Sequence, residues 1–480
     1  MDTLPTIPGG GTMDQVIEEN RVLATLQAEL DYPFASNLQR GISAPNAPTR
    51  YQVGSSVASV LEAIGSVVAD IVQARGGPAQ SVSCSSAAAV ASLIAFRIGQ
   101  EKDDSGDWTT PEPDPSAQKG RDLTKPFATR DGRYFLPHFG LPHLQRRVLD
   151  VLDCDLIEED VSAAIAGWDA LDLEEAIADA RACGGMVRRR EEWMRHPHGA
   201  ALATRPVISI EKIGEAPPEP IPGGLRPLSG LRVLDLTRIL AGPVAARSLA
   251  EHGADVLMVA GRDLPQVPEF VRETSHGKRS CFLDPKSGNG LDRLVELVSG
   301  ADVFSQGYRP GAMEKLGLGP RDLATLRPGI VALSVSCFGT DGAMSDRAGW
   351  EQVAQAVTGM CAGQGGDAAP TLVPVPVCDF LTGYLGTLGT LIALQRRATE
   401  GGSWHVEVSL CRTAMFLQDQ GLADEPGQFP KLEDIAPYLT ESRGERGHLR
   451  FVGPVLQMSG TPPRYERPSP VLGQHQPEWL

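Results

Sequence analysis

Two stretches of the chain are apolar on almost every side and predict helices that are buried in a core. They are YQVGSSVASVLEAIGSVVADIVQAR at 51–75 and VPVCDFLTGYLGTLGTLIALQRR at 375–397. Their most apolar parts, about 15 residues each with Gly, Ser or Thr among them, are shorter than the ~20 residues that a bilayer-spanning helix needs. The pattern therefore predicts two core helices, and no association with a membrane is expected.

The two stretches also repeat each other. They align without a gap at an offset of 324 positions, and each continues through a glycine turn into a predicted strand, AQSVSCS or SWHVEVS. Identical residues occupy eight aligned positions, which are Val53, Leu61, Gly65, Ala69, Ala74, Gly77, Val82 and Ser85 with their partners. The pattern indicates an internal repeat in which Asp379 of the second copy is aligned with Ser55 of the first.

Beyond residue 226, short β-rich runs alternate with helices whose apolar residues are spaced by three and four. Strands are predicted at 230–236, 254–260, 302–307 and 329–339, and helices at 242–253 and 291–301. This alternation is typical of an α/β fold with a parallel sheet and crossover helices. By contrast, the segment 144–197 is mainly helical in pattern.

The length of 480 residues predicts two or more domains, since about 150 residues per domain is usual. The Pro- and Gly-rich segment GEAPPEPIPGG reads as a semi-rigid linker. The predicted organisation is an N-terminal extension at 1–50 with a helical stretch at 13–30, a first unit at 51–213, a linker at 214–226, and a second unit at 227–480.

Charge and cysteine usage exclude several classes of function. The net charge of −16 and the pI of about 5.1 argue against a nucleic-acid-binding surface. The eight cysteines form no C-x-x-C pair, and the histidines at 137–143 and 196–198 have no acidic or cysteine partner at ligand spacing, so no metal site is predicted. The N-terminus lacks the pattern of a secretory signal, so the expected location is the cytoplasm.

The turn LDLTRILAGP at 234–243 opens a predicted helix, whose free N–H groups favour an anion such as phosphate. A purely structural turn is equally compatible with the pattern. No G-x-G-x-x-G is present here, and the next strand ends in Ala260 rather than an acid, so a nicotinamide dinucleotide is not expected. Lys278, Arg279 and Arg309 lie in glycine-containing loops, where they could bind phosphate or remain solvated surface charges.

Asp379 stands just before the apolar run of the second predicted core helix. A carboxylate in that setting is partly desolvated, which raises its pKa and makes its anion more reactive toward a substrate. Aspartate is also a favoured helix N-cap, a role that needs no substrate pocket. On the local pattern alone, capping is the preferred interpretation.

Longer motifs resemble those of the family III CoA-transferases, the CaiB/BaiF family. The resemblance runs through PLSGLRVLDLTRILAGPVAARSLAEHGADVLMV, HGKRSCFLD, ADVFSQGYRPGAMEKLGLGPRDL, PGIVALSVSCFGTDGAMSDRAGWEQVAQAVTGM and DFLTG to the C-terminal SGTPPRYERPSPVLGQHQPEWL. DGRYFLPHFGLPHLQRRVLDVL, WDALDLEEAIADA and VRRREEWMRHPHG are similar to the family's smaller domain, which normally follows the DFLTG segment. The order here implies a rearranged chain with a fused, partial first copy.

The resemblance implies a Rossmann-like large domain with a smaller α+β domain, and Asp379 as the catalytic nucleophile. The implied substrates are an acyl-CoA and a carboxylic acid, with no permanently bound cofactor and a homodimeric assembly. Candidates for binding CoA are Thr237, Arg238, Ala241, Gly242, Pro243, Arg262, Lys278, Arg279, Tyr308 and Arg309. Gly339 and Gly342 are candidates for a loop that stabilises an oxyanion. Because Ser55 replaces the acid in the first copy, one competent aspartate per chain is expected.

The sequence departs from the family pattern at five positions. Ala260 stands where an acid is usual, His276 and Gly307 stand where Asn is usual, and the usual Gly-Tyr-Asp is Gly349-Trp350-Glu351. The first three changes bear on CoA binding. The racemase branch of the family carries a histidine at the place of Trp350, so an acyl-CoA racemase or isomerase is the second interpretation. A CoA-binding subunit without turnover is the third.

Overall fold

The computed structural model describes residues 13–34, 47–366 and 368–480, so 1–12 and 35–46 of the predicted extension lie outside the described residues. Its helices are α1 (Met13–Leu30), α2 (Val53–Ala74), α3 (Ser86–Leu93), α4 (Ala95–Ile98), α5 (Pro115–Asp122), α6 (Pro142–Leu152), α7 (Glu158–Ala166), α8 (Ala170–Asp179), α9 (Arg190–Arg195), α10 (Pro197–Ala203), α11 (Ala241–Glu251), α12 (Pro268–Thr274), α13 (Gly288–Ser299), α14 (Pro320–Leu326), α15 (Glu351–Thr358), α16 (Met360–Gly365), α17 (Val377–Glu400), α18 (Leu410–Asp419) and α19 (Leu432–Ile435). Its strands are β1 (Val82–Ser83), β2 (Gln100–Lys102), β3 (Trp108–Thr109), β4 (Phe127–Ala128), β5 (Tyr134–Pro137), β6 (Gly184–Met186), β7 (Ser209–Gly214), β8 (Arg232–Leu236), β9 (Asp255–Ala260), β10 (Arg279–Phe282), β11 (Val303–Gln306), β12 (Val331–Ser336), β13 (Ser403–Ser409), β14 (Leu439–Gly444), β15 (Gly447–Val452) and β16 (Gln457–Met458).

The central sheet has seven strands in the order β10-β9-β8-β11-β12-β13-β7. The first six are parallel, and β7 pairs antiparallel with β13. From β8 the chain adds β9 and β10 on one side and then β11, β12 and β13 on the other, which is the Rossmann order. The predicted α/β fold with a parallel sheet is confirmed. The strand order reverses between β8 and β11, where a crevice forms at the carboxyl ends of the strands.

Alternate residues of each parallel strand face opposite layers of helices. Val233 belongs to the large core that contains α11 and α17, whereas Leu234 and Leu236 belong to the core that contains α13 and α14. Both faces of the sheet are therefore buried, as a parallel sheet requires. Because helices pack on both faces of the sheet, the strand ends that form the crevice are held in place.

The predicted internal repeat is confirmed as a helix–strand–helix unit. Helices α2 and α17 begin at aligned residues, and so do α3 and α18. The aligned serines Ser85 and Ser409 are the N-cap residues of α3 and α18. Helix α2 also packs directly against α17, so the two copies of the unit share one core.

Helices α2 and α17 have 22 and 24 residues, so the expectation that they are too short to cross a bilayer is wrong on length. The residues that flank each apolar centre continue the helix and keep it apolar enough for a membrane span. Both helices are nevertheless surrounded by protein. In α2, 83% of the most apolar 18-residue stretch is buried inside the fold, and in α17 all of it is. Both helices are thus core helices of this structure.

The predicted smaller α+β domain has its own sheet and its own core. Strands β4, β5 and β6 form a three-stranded antiparallel sheet. Helices α6, α7 and α8 pack with it around buried residues such as Phe135, Val148 and Ile165. The bounds proposed for the units from the sequence stay predictions.

Segments on the two sides of the predicted linker share three sheets. Strand β7 precedes the linker but pairs with β13, β2 pairs with β15, and β1 pairs with β16. The first copy is therefore built into the same fold as the large domain, with backbone hydrogen bonds that cross the predicted boundary.

Gly383 of α17 packs closely against the start of α11. A β-carbon there would stand 2.5 Å from the Ala241 carbonyl oxygen, whereas a β-carbon at Gly386 would meet Leu333 at an ordinary 3.4 Å. We expect Gly383→Ala to lower the free energy of unfolding by about 1–3 kcal/mol, because the helices must separate. Gly386→Ala is the matched control and should be neutral or stabilising, since Ala favours the helix. Chemical denaturation of both variants tests this, and equal stabilities would contradict it.

Candidate active site

A cleft of about 260 Å³ opens where the strand order reverses. Its lining comes from segments 141–144, 236–242, 307–310, 335–337 and 345–350, together with Asp379 and Leu410. Three of these segments follow or end β8, β11 and β12, so the cleft is the crevice that the doubly wound sheet creates. The sheet thus places Asp379 beside the loops that carry ligands in folds of this kind.

Asp379 lies in the first turn of α17 and does not cap it. The helix begins at Val377, its N-cap is Pro376, and no side chain of the N-cap residue accepts a hydrogen bond. Instead Glu351 at the start of α15 accepts from the N–H groups of Cys378 (3.2 Å) and Asp379 (2.6 Å). The preferred interpretation of Asp379 from local sequence, a helix cap, is therefore wrong, because Glu351 takes that role from a distant part of the chain.

Asp379 is only 8% exposed, and it lines the cleft. No donor within the described residues reaches its oxygens, whereas Glu351 accepts a third hydrogen bond from the side chain of Gln355 at 2.7 Å. Burial, and then the negative charge of Glu351, raise the pKa of Asp379 well above its ordinary value. Burial raises the pKa of Glu351 as well, but its hydrogen bonds from Gln355, Asp379 and Cys378 lower that pKa, so Glu351 is the better stabilised anion of this buried pair.

Around Asp379 the charged side chains of the cleft are cationic. Arg238, Arg309 and Arg347 line it, and Asp379 is the acid among the described lining residues. Arg347 is paired with Glu175 at 2.8 Å, while Arg309 has no ion pair among the described residues. In a protein with a net charge of −16, this local excess of positive charge favours an anionic ligand.

The turn between β8 and α11 lies where the sequence predicted an anion site. Thr237, Arg238, Ala241 and Gly242 line the cleft, and Gly242 packs so closely on Thr237 that a β-carbon would stand 2.4 Å from it. Ile239 in the same turn has φ of 73°, a strained value for a β-branched residue. No acceptor in the described chain reaches the N–H of Ala241 or Gly242, so this helix start is open to an anion.

Other predicted residues divide between the cleft and the core. Tyr308 and Arg309 line the cleft, but Lys278 is fully buried and donates to Asp235 at 2.8 Å and to the Pro243 carbonyl at 2.9 Å. Arg279 pairs with Asp255 at the amino-terminal end of β9. The roles in CoA binding predicted for Lys278 and Arg279 are therefore not supported, because their charges are neutralised away from the cleft.

Arg262 and Pro243 also lie outside the cleft lining. The Arg262 guanidinium stacks on the Phe282 ring, 4.4 Å from its centroid. Pro243 follows the lining residue Gly242 inside α11, and its carbonyl oxygen accepts a hydrogen bond from Lys278. Neither position brings its side chain to Asp379.

The loop predicted to hold an oxyanion turns away from Asp379. The N–H of Gly339 donates to Ser336 Oγ at 2.9 Å, and Gly342 packs against the His198 ring. Both glycines have positive φ, of 88° and 94°, a backbone conformation that glycine adopts readily. Their role is therefore to let the loop turn. Neither glycine lines the cleft that contains Asp379, whereas Ala241 and Gly242 at the start of α11 do.

Sequence reasoning missed the contribution of the smaller domain to the cleft. Leu141, His143 and Leu144, at the start of α6, form one wall. The only signal in the sequence is the histidine-containing PHFGLPH segment, for which the sequence predicts no metal site. Among the described residues, no group of three or more His, Cys, Asp or Glu side chains could hold a metal ion.

Comparison with known protein families decides the assignment. The family model of CoA-transferase family III matches residues 38–218 and 228–437, well over half of the chain. The chain belongs to CoA-transferase family III. The resemblance drawn from the motifs is confirmed, and the division of the match into two segments fits a partial duplicated copy.

Curated family III relatives share about 30% identity with the chain. An acetyl-coenzyme A transferase, nodX, of Hypoxylon pulicicidum is 30% identical over 317 residues, which cover 60% of this chain and 53% of the relative. A succinyl-CoA:glutarate CoA-transferase of Mus musculus is 32% identical over 213 residues, covering 42% of this chain and 49% of the relative. The chain thus spans about half the length of the curated relatives that it matches.

Solved structures of the family are also similar to parts of the chain. The crystal structure of Rv3272 from Mycobacterium tuberculosis (orthorhombic form) is 31% identical, with a TM-score of 0.38, over 41% of this chain and 58% of that one. A CAIB/BAIF family protein from Brucella suis is 27% identical, with a TM-score of 0.37, over 46% of this chain and 65% of that one.

Two departures from the family III pattern have clear positions in the fold. Trp350 lines the cleft with its ring 4.6 Å from that of His138. His276 is buried against Phe451, with ring centroids 3.6 Å apart, and neither ring nitrogen has a hydrogen-bond partner in the described chain. Trp350 thus shapes the cleft, whereas His276 is a core residue.

Proposed function

We propose that the chain transfers CoA from an acyl-CoA to a carboxylic acid, with Asp379 as the nucleophile. The observation that carries the proposal is the desolvated carboxylate of Asp379 in a cleft whose other charged residues are cationic. The cleft volume is below the ~300–1,000 Å³ of sites that enclose a drug-sized ligand. It therefore suits the thioester end of an acyl-CoA or an acceptor acid, with the rest of CoA outside.

The proposed chemistry has four balanced steps. The Asp379 carboxylate attacks the thioester carbonyl, which forms an acyl-aspartyl anhydride and releases CoA thiolate. The thiolate then attacks the aspartyl carbonyl, which forms an aspartyl-CoA thioester and releases the donor acid. The acceptor carboxylate attacks the aspartyl-CoA thioester, which forms a new anhydride with Asp379 and releases CoA thiolate. The thiolate then attacks the acyl carbonyl of the acceptor in this anhydride, which gives the new acyl-CoA and regenerates the Asp379 carboxylate. Each step replaces one acyl bond by another, so one difficult exchange is divided into easier ones.

Two features of the cleft support these steps. The open N–H groups of Ala241 and Gly242 could stabilise the oxyanion that each attack creates. The cationic lining would attract both the acceptor carboxylate and the phosphates of CoA, and it would favour ionised Asp379 once substrate is bound. Both features act on any carboxylate and any acyl-CoA.

Trapping of the intermediate tests the proposal. The protein is incubated with a panel of acyl-CoAs and hydroxylamine, and peptides are analysed by mass spectrometry. We expect a hydroxamate on Asp379, since hydroxylamine cleaves both the anhydride and the thioester. If CoA binds but no acyl-CoA labels Asp379, the transferase is rejected and a CoA-binding subunit without turnover is supported.

Two cleft arginines, Arg238 and Arg309, have no ion pair among the described residues. Arg238 donates to the Pro265 carbonyl, so Arg309 is the better candidate for the acceptor carboxylate. We expect Arg309→Gln to raise the KM for the acid on the order of tenfold, the cost of one charge-assisted hydrogen bond. Arg262→Gln is the matched control, because Arg262 lies outside the cleft lining. Steady-state kinetics with varied acid measure both, and equal effects of the two changes would contradict the assignment.

An acyl-CoA racemase is the second candidate, and one observation keeps it open. Trp350 stands where the racemase branch carries a histidine. However, His143 of the smaller domain lines the same cleft as Asp379. Burial and then the charges of Arg147, Arg238 and Arg309 lower the pKa of His143, so it could act as a neutral base. Exchange of deuterium at the acyl α-carbon, without CoA transfer, would support the racemase and reject the transferase.

A further inference from the structure

We infer that the Asp379 site is completed in cis: the smaller domain of the first copy closes the cleft of its own chain. Each chain then holds one self-contained site and needs no second copy for catalysis. The inference concerns the assembly of the site, and its activity test rests on the proposed CoA transfer.

The first line of support is the wall of the cleft itself. Leu141 and Leu144 are buried at the start of α6, and with His143 they line the same cleft as Asp379. These residues precede Asp379 by more than 200 positions but belong to the same polypeptide. No part of the wall formed by the described residues has to come from another molecule.

The second line of support is a set of contacts between the smaller domain and the cleft loop at 345–350. Arg347 of that loop makes two hydrogen bonds to Glu175 of α8, at 2.8 and 2.9 Å. The backbone of Ala348 forms a parallel bridge with Cys183. His138 Nε2 lies 3.2 Å from Oε1 of Gln352, just beyond the loop. An ion pair, a backbone bridge and a side-chain contact thus hold the smaller domain against the loop and the residue that follows it.

The third line is the enclosure of the helix that carries the nucleophile. Helix α17 is buried from Val377 to Leu394. It packs against α2 of the first copy, α11, α18 and the sheet strands β12 and β13. Gln395 donates to the Val67 carbonyl of α2, and Tyr384 donates to Ser92 of the first copy. The first copy therefore occupies the face of α17 that a second chain would otherwise have to cover.

The fourth line is the route of the chain out of the smaller domain. After α10 the chain forms β7, which pairs with β13 at the edge of the same sheet that holds the cleft. Before the smaller domain, β2 pairs with β15 of the C-terminal hairpin. The smaller domain is thus held at both ends by backbone pairing to elements that follow the linker. An exchange between two chains would have to carry β2, the smaller domain and β7 over together, with every one of these pairings re-formed between chains.

Complementation between two inactive variants tests the inference. Asp379→Asn removes the nucleophile, and Leu144→Arg fills the wall of the smaller domain with a charged side chain. Both are co-expressed with different tags, and each must melt cooperatively and be inactive alone. Closure in cis predicts no recovered transfer, since no chain holds two intact halves. Exchange of domains in a twofold dimer would restore roughly a quarter of the sites and overturn the inference.

A cross-linking experiment gives a readout without activity. Glu175→Cys and Arg347→Cys are combined and joined by a short bismaleimide in dilute protein, with each single variant as the control. Closure in cis predicts that the band at the mass of one chain, 51.2 kDa in denaturing gels, yields a cross-linked peptide that joins positions 175 and 347, identified by mass spectrometry. A covalent dimer specific to the double variant would overturn it. A wild-type protein without transferase activity would reject the proposed function alone, and the cross-link would still decide the assembly.

Discussion

Asparagine in place of Asp379 should abolish CoA transfer and at the same time stabilise the fold. Without a carboxylate no anhydride can form, so kcat should fall on the order of 10³-fold or more. The stabilisation follows from burial: within the described residues no donor reaches the Asp379 oxygens, and Glu351 adds a second negative charge nearby. A neutral amide of the same shape avoids both costs. Transfer assays and thermal melting measure the two effects.

The stabilisation by Asp379→Asn should depend on pH with a definite sign. The pKa of Asp379 is raised in the folded protein, so the folded state binds more protons than the unfolded state between the ordinary and the raised pKa. Wild-type stability is therefore lost as pH rises through that window. The difference in Tm between variant and wild type should be small at low pH and grow toward neutrality. Asp379→Glu, which keeps the charge, is the control; a gain in Tm that is independent of pH would contradict the explanation.

Glutamine in place of Glu351 should shift the pH dependence of catalysis to lower pH. Glu351 is the second cause of the raised pKa of Asp379, after burial, so loss of its charge lets Asp379 ionise at a lower pH. The acid limb of the kcat/KM profile should move with it. Because the amide cannot accept from both Cys378 and Asp379, the start of α17 loosens, and kcat at the plateau should fall roughly tenfold or more.

The loss of hydrogen bonds to Glu351 should also destabilise the protein by about 1–3 kcal/mol, which chemical denaturation measures. Glu351→Asp keeps the charge on a shorter side chain and serves as the control. It should leave the acid limb closer to that of the wild type even if the fold is weakened. An acid limb that stays in place in Glu351→Gln would show that the two carboxylates do not interact.

The strands and helices of the large domain were predictable because their signals are local. Apolar runs with a period of two or of three to four residues mark β8, α11 and β9 in the sequence itself. The repeat was likewise visible, because α2 and α17 keep the same spacing of small and apolar residues. The family assignment followed from motifs long enough to be specific.

The candidate site depended on contacts that local patterns do not contain. Asp379 was interpreted as a cap because aspartate before a helix usually is one, but Glu351, 28 positions earlier, takes that place in space. Lys278 resembled a phosphate ligand until the fold brought Asp235 to it across 43 positions. The wall from Leu141 to Leu144 was equally hidden, since only the tertiary arrangement of the smaller domain joins it to the cleft.

Strand β7 makes the fusion of the two copies difficult to reverse in evolution. It covers the outer edge of β13, and the first copy covers the apolar face of α17. A gene split at the codons for 214–226 would encode one product with an unpaired strand edge and an uncovered apolar helix, both of which promote aggregation. Selection against such products would keep both copies in a single reading frame, and the copy that carries Ser55 would be retained for its packing.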